Sequence, residues 1–235
     1  MCVEGGAEAA SPALSRRGGL FASMGKPMIR MHPQSMADLQ PGDHACCFYA
    51  TEIEHQAVIA PFLRQGLEQA RKVLYVWDAH QEEVILGYLQ EDGLDPRPYV
   101  EGGHLSLLNV HDVAARQRYP GAKGAADWVR AEVEQARSEG YSELWITGEM
   151  TWALWRLPNQ AGLAQYESEL NKCVPSSRCV CLCQYDRRRF GLQTLMNALK
   201  LHPFVAIGPG IYDNTAVLGQ THHPSIRLWP EPRRS

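Results

Sequence analysis

Cys179-Val180-Cys181-Leu182-Cys183-Gln184-Tyr185-Asp186-Arg187-Arg188-Arg189-Phe190 is the stretch that decides how this chain folds. Its first half is a short apolar run, the pattern of a strand buried on both faces. It turns polar at Gln184, Tyr185 and Asp186, then meets a basic triplet and a helical stretch through Leu192, Leu195, Met196 and Leu199. In an open α/β sheet, ligands bind beyond the carboxyl ends of the strands, where this run leaves its polar residues. The expectation is a sheet with a small, largely apolar pocket along that edge.

The same unit recurs on either side. Ala45–Tyr49 reads as a first strand. Thr51, with Glu54 three residues on, is a capping box for a helix carrying Ile53, Ala57, Val58, Phe62 and Leu67. Pro61 should kink that helix or mark a second start. Val73–Trp77 is the next strand, and Asp78 is placed to cap a helix through Val84, Ile85, Tyr88 and Leu89 that stops at Gly93. Leu105–Val110 is a third strand, Arg116–Gly124 an irregular loop, and Ala125–Glu139 a helix stopped by Gly140. Leu144–Thr147 is a fourth strand, running into Gly148-Glu149-Met150-Thr151-Trp152, and Leu163, Tyr166 and Leu170 mark another helix. Phe204–Ile207 is a sixth strand, after which Pro209-Gly210 turns the chain into Ile211-Tyr212. Strand-helix alternation repeated this often predicts an α/β, three-layer, mainly parallel sheet with helices on both faces. Right-handed crossovers then gather the strand-helix loops on one side.

With 235 residues, 45% hydrophobic and 21% charged, the chain suits one globular domain, expected over residues 41–219. Residues 1–40, rich in Gly, Ala, Ser and Pro, read as a weakly ordered tail, and residues 220–235 as a Pro-rich one. A net charge of -3 argues against wholesale binding to nucleic acid or an anionic membrane. The apolar runs fall well short of the roughly 18–20 residues of a membrane span. No apolar stretch of signal-peptide length follows Arg16 and Arg17, so a cytoplasmic protein with reduced thiols is expected.

The first strand-helix loop, Phe48–Glu54, has no glycine to wrap backbone amides around a phosphate and no lysine to meet its charge. Glu52 and Glu54 would repel a polyphosphate. Neither Gly-x-Ser-x-Gly nor His-Glu-x-x-His occurs, and the nine histidines are dispersed. We therefore assign no catalytic residue and no cofactor. The strand ends instead offer Tyr49, Glu52, Trp77, Asp78, Glu149, Trp152, Gln184, Tyr185 and His202 as ligand-binding candidates, aromatics mixed with a few polar groups. Cys-x-Cys-x-Cys is not usual zinc spacing. A metal or redox site would require Cys46 and Cys47 to converge with Cys181 and Cys183.

Four blocks carry a family resemblance. Gly42-Asp43-His44-Ala45-Cys46-Cys47-Phe48-Tyr49 and Pro61-Phe62-Leu63-Arg64-Gln65-Gly66-Leu67-Glu68 come first. Thr147–Leu154 and Cys183–Phe190 follow, the last with His202-Pro203 downstream. In this order and at these spacings, over roughly residues 41–212, the chain resembles the MEDS domain, the methanogen/methylotroph sensory domain of the DcmR regulator. The resemblance implies a RecA-like sheet stripped of its phosphate-binding loop. It also implies a non-enzymatic sensor of small hydrocarbon derivatives or related metabolites in transcription or two-component signalling. Members often carry a helix-turn-helix or kinase module, for which these 235 residues leave no room. The expectation is a report to a separate regulator or histidine kinase, or signalling by self-association. Two other readings stay open: an interaction module with a vestigial pocket, and a thiol-based metal or redox sensor.

Overall fold

The structure, a computed structural model, describes residues 34–115, 124–157 and 159–214. Seven strands form one sheet: β1 (His44–Tyr49), β2 (Lys72–Trp77), β3 (Leu105–Asn109), β4 (Leu144–Glu149), β5 (Cys179–Asp186), β6 (Phe204–Ile207) and β7 (Gly210–Asp213). Their spatial order is β3-β2-β4-β5-β1-β6-β7. Every pairing is parallel except the terminal hairpin of β6 and β7. This is the three-layer, mainly parallel architecture expected from the strand-helix alternation.

The opening stretch lies near the centre. All eight residues of β5 are buried, between β4 and β1. Successive strand side chains point to opposite faces, so Cys179, Cys181, Cys183 and Tyr185 join the core cluster on one side. Val180 and Leu182 join the cluster on the other. The first cluster is covered by α4 (Val110–Ala115), α5 (Ala125–Ser138), α7 (Gln160–Cys173) and Ala198 of α8 (Leu192–Leu201). The second is covered by α1 (Glu52–Glu68) and α2 (Glu82–Glu91), with α3 (Arg97–Glu101) beside it. One short helix, α6 (Ala153–Arg156), follows a single 3-10 turn at Met150–Trp152.

Thr51 caps α1 as its spacing predicts, its hydroxyl accepting the Glu54 N–H at 3.2 Å. The carboxylate of Glu54 turns back one residue further than the simple box, onto the Ala50 N–H. Pro61 marks no second start: α1 runs unbroken from Glu52 to Glu68. Asp78 does not cap α2. Gln81 stands at that N-terminus, and the Asp78 carboxylate accepts the Thr151 hydroxyl (2.6 Å) and the Trp155 indole N–H (3.2 Å) instead. The chain also packs earlier than residue 41. Ser35 bridges Gly210, and Met36 and Leu39 are buried in the α1-side core. The first 33 residues, the 116–123 part of the expected loop and residues 215–235 lie outside the described residues.

The fit of α1 on the sheet depends on Gly66. A Cβ there would come within 2.7 Å of Val73 Cγ2 and 3.3 Å of Trp145 Cγ. Overpacking costs about 1–3 kcal/mol, against roughly 1 kcal/mol gained from alanine's better helix propensity. Gly66→Ala should therefore lower the urea midpoint with the m-value unchanged; an equal or higher midpoint would show that α1 does not sit this close.

Candidate functional site

The parallel register puts the turn after β2 beside the end of β4, through Val76 opposite Gly148. There Glu149 is fully buried. A carboxylate out of water needs compensation on both oxygens. Its Oε2 accepts the backbone N–H groups of Asp78 (3.1 Å), Ala79 (2.5 Å) and His80 (3.1 Å). Its Oε1 accepts the Tyr75 hydroxyl and lies opposite His80 Nδ1, both at 2.9 Å.

His80 continues the chain of charge outward. Its Nε2 lies 2.9 Å from Oε2 of Glu52, whose side chain is 55% exposed. Both ring nitrogens thus face carboxylates. Burial alone would lower the His80 pKa, but hydrogen bonding and charge from Glu149, then Glu52, raise it above the ordinary histidine value. For Glu149, burial pushes the carboxyl up, and the His80 hydrogen bond and charge, the Ala79 N–H and the Tyr75 hydroxyl more than reverse it. The result is a carboxylate-imidazole-carboxylate line from the sheet edge to solvent that favours the protonated form of His80.

A second, neutral layer lies behind it. Gln184 stands opposite Glu149 in the β4–β5 register. Its Nε2 donates to Thr147 Oγ1 (2.7 Å), which donates in turn to the Leu182 carbonyl (2.8 Å). That fixes the amide with Oε1 accepting from His55 Nε2 at 2.7 Å. The rings of His55 and His80 stack at 4.3 Å. Burial, against the raising effect of the Gln184 bond, holds the His55 pKa down at about 4, and the His80 charge adds to the lowering. Tyr88 donates to Glu52 Oε2 at 2.9 Å. Tyr49 places its ring 4.3 Å from that of His55, and its hydroxyl is buried with no hydrogen-bond partner.

Of the nine candidates, the structure brings Tyr49, Glu52, Glu149 and Gln184 into this network. Trp77 packs partly buried against the α1-side core, and Asp78 gives Glu149 its backbone N–H while its side chain turns to Thr151. Trp152, Tyr185 and His202 lie on the opposite face: Trp152 packs edge-on to Tyr166 at 5.0 Å, and Tyr185 donates to Glu167. There His44, Glu167, Cys183 and His202 form a second buried polar cluster. The four thiols divide likewise, with Cys46, Cys181 and Cys183 on the α7 side and Cys47 on the α1 side. The sequence reading passed over His55, His80, Tyr75, Tyr88 and Thr147. His55 precedes Val58, Ile59 and Phe62 on the buried stripe of α1, a core register that could have flagged it; His80, in a loop, carries no such signal.

The strand-end residues fill one another's space rather than line an open apolar pocket. A cleft of about 580 Å³, lined by Leu74, Ser106, Leu108, Trp128 and Glu132 among others, is on the other face and receives none of the nine candidates. Glu54 occupies the Ala50 N–H at the start of α1 and pairs with Arg187 at 2.9 Å. An incoming anion would have to displace it.

Parallel order, helices on both faces and a polar site at the strand ends define a three-layer α/β domain, and its likeness to a solved KaiC-like structure makes the fold RecA-like. The chain is similar to a KaiC-like protein from the hyperthermophilic archaeon Pyrococcus horikoshii, with a TM-score of 0.50, 11% identity and 70% of each chain covered. It is also similar to the flagellar accessory protein FlaH from Methanocaldococcus jannaschii, at a TM-score of 0.49 and 9% identity over 74% and 76% of the two chains. The first of these likenesses concerns the fold alone. The family model "MEthanogen/methylotroph, DcmR Sensory domain" matches residues 43–203, and the chain belongs to this MEDS family. It is 25% identical over 166 residues to the transcriptional repressor DcmR of Methylorubrum extorquens, a match covering 70% of this chain and 60% of the repressor. No helix among the described residues is long and apolar enough to cross a membrane.

The two stacked histidines should titrate in opposite senses. His80 gives stability that is full below about pH 6.5 and lost as pH rises through its raised pKa. His55, with its pKa depressed, gives stability that is full above about 6.5 and lost as pH falls towards 4. At 1.36 kcal/mol per unit the His55 share is on the order of 3 kcal/mol. Ring-nitrogen NMR at pH 5.5 should find His55 neutral and His80 doubly protonated. Two histidines titrating together near 6.5 would refute the geometry.

Proposed function

We propose that this chain is a non-catalytic, cytoplasmic sensory domain. It would bind a small, polar-headed hydrocarbon derivative or metabolite at the strand-end network and report it to a separate transcriptional or two-component partner. The observation that carries this reading is the Tyr49 hydroxyl, buried without a partner beside His55 and His80 in an otherwise interlocked network. An unpaired buried hydroxyl costs about 1–3 kcal/mol, which a ligand hydroxyl, carbonyl or carboxylate would recover. Family membership supports the sensory role. A loop of Ala50 and Thr51, followed by Glu52 and Glu54, supports its being non-catalytic towards nucleotides.

Entry would run between Glu52 and His80, the exposed end of the line. A ligand competing for His80 releases Glu52, which also lies 3.5 Å from Arg188, so occupancy would reach the basic segment after β5. Signalling requires a ligand to favour one arrangement over the other, since equal affinity shifts nothing. The closed packing of the network favours one other reading, an interaction module whose pocket is vestigial.

Thermal shift of the full chain against one- to three-carbon alcohols, aldehydes, carboxylates and haloalkanes separates the two. At least one class should raise Tm, and Tyr49→Phe and His80→Ala should each weaken that ligand by about tenfold or more. No shift with any class leaves the interaction module. A shift undiminished in both variants would mean the ligand binds elsewhere.

A further inference from the structure

On the face of the sheet away from the proposed ligand site, four donor atoms meet in the protein interior. They are Nε2 of His44 on β1, Sγ of Cys183 on β5, Oε2 of Glu167 on α7 and Nε2 of His202 just past α8. The four residues are at most 3% exposed. Parallel pairing of β1 with β5 sets His44 opposite Cys181, one strand step from Cys183 on the same face. Glu167 falls on the buried stripe of α7 with Leu163, Tyr166 and Leu170.

Three of the four donors are held from behind. His44 Nδ1 lies 2.9 Å from Asn171 Oδ1, and the Asn171 amide nitrogen donates to the Leu201 carbonyl, which leaves Oδ1 as the acceptor. The proton therefore sits on Nδ1, and the Nε2 lone pair faces the cluster. His202 repeats the arrangement, its Nδ1 donating to the Ala198 carbonyl at 2.7 Å. Its Nε2, fully buried, has no hydrogen-bond partner, although Glu167 Oε2 lies 3.3 Å away. Tyr185 donates to Glu167 Oε1, leaving Oε2 to face the two imidazoles and the thiol. Metal-binding histidines are oriented in this manner, the second ring nitrogen given to a carbonyl or carboxylate.

The spacings of four of the six donor pairs match as well. Tetrahedral zinc, with Zn–N and Zn–O near 2.0–2.1 Å and Zn–S near 2.3 Å, sets its donors about 3.3–3.6 Å apart. Here Glu167 Oε2 lies 3.3 Å from His202 Nε2, 3.5 Å from His44 Nε2 and 3.7 Å from Cys183 Sγ, and His44 Nε2 lies 3.4 Å from that sulfur. Lone pairs aimed at a carboxylate at such distances repel unless a proton or a metal cation lies between them, and zinc is the cation whose donor set and spacing these four residues match.

We propose that His44, Glu167, Cys183 and His202 bind one zinc(II) ion. Two neutral imidazoles, a thiolate and a carboxylate give a neutral complex, suited to a dry interior. With four protein ligands and no open position the site is structural, joining β1, β5, α7 and the end of α8. Ligand acquisition displaces the Cys183 proton, so affinity falls with acid. Because all four groups are buried, the ion is taken up as the chain folds and exchanges slowly afterwards.

The full chain, expressed in zinc-supplemented medium, should carry close to one zinc per chain by elemental analysis. Unfolded under chelator and reductant, then refolded with cobalt(II), it should show intense tetrahedral d–d bands and a thiolate-to-cobalt band near the ultraviolet. Cys183→Ser should remove the thiolate band, and His202→Ala should cut metal content at least fivefold. Cys181→Ser, two residues along the same face, should keep the spectrum. Native circular dichroism with less than a tenth of an equivalent of zinc, and no cobalt spectrum after refolding, would overturn the site. Iron or copper in its place would overturn the choice of ion, and loss of the thiolate band in Cys181→Ser instead would overturn the donor set. Failure of the strand-end ligand screen bears on none of these readouts.

Discussion

The fold brings a carboxylate to the carboxyl edge of its sheet and must keep it charged without water. An isolated buried carboxylate would cost many kcal/mol, and proteins avoid it by pairing and hydrogen bonding. Glu149 is stabilised by three successive backbone N–H groups, a phenol and an imidazole. Those amides are available only because β2 and β4 are neighbours in register, so the turn after Trp77 curls over the end of β4. The sheet order thus determines the chemistry of the edge. The protein's own carboxylate fills a cradle of amides, as an external anion does in other α/β folds.

Strand β5 connects this network to the second cluster. Cys183 and Gln184 are consecutive, yet they serve opposite faces: one thiol meets His44 and Glu167, and the next side chain meets His55 and Thr147. A strand buried on both sides ordinarily carries only apolar residues. Here Cys183 and Gln184 are tolerated because each is matched by partners on its own face. Neither network can shift along β5 without disturbing the other, since a one-residue slip would exchange their side chains.

Most of the architecture was legible in the sequence. Apolar runs, turn glycines and the Thr51 cap located six of the seven strands and the main helices, because those signals are local; β7 was read only as the stretch Ile211-Tyr212 after a turn. The second start offered at Pro61 does not occur. The packing of α1 on the sheet, Phe62 against Trp145 included, outweighs the loss of one helical hydrogen bond. Short elements such as α3, α4 and α6 carry too few residues for a periodic signal. The site was half legible. Gln184 and Tyr185 were grouped as neighbours, although period two alone assigns them to opposite faces. Glu167 sits at a core register of α7, a buried acid whose position was itself a signal. His80 belongs to a turn that only the pairing of β2 with β4 places, and no local pattern reveals that.

The energetics of the line from Glu149 to the surface decide which end of it can move. Removing one partner from a buried charged pair costs about 3–5 kcal/mol, so Glu149 and His80 would part only under a strong competitor. Pairs at the surface are worth about 0–1 kcal/mol. Glu52 with Arg188, and Glu54 with Arg187, are of that kind, with all four side chains about half exposed. A ligand of modest affinity therefore has enough free energy to exchange the outer contacts and too little to dismantle the inner ones. On the proposed reading, a ligand-driven rearrangement would therefore involve Glu52, the start of α1 and the arginines after β5, with Glu149 as the fixed anchor.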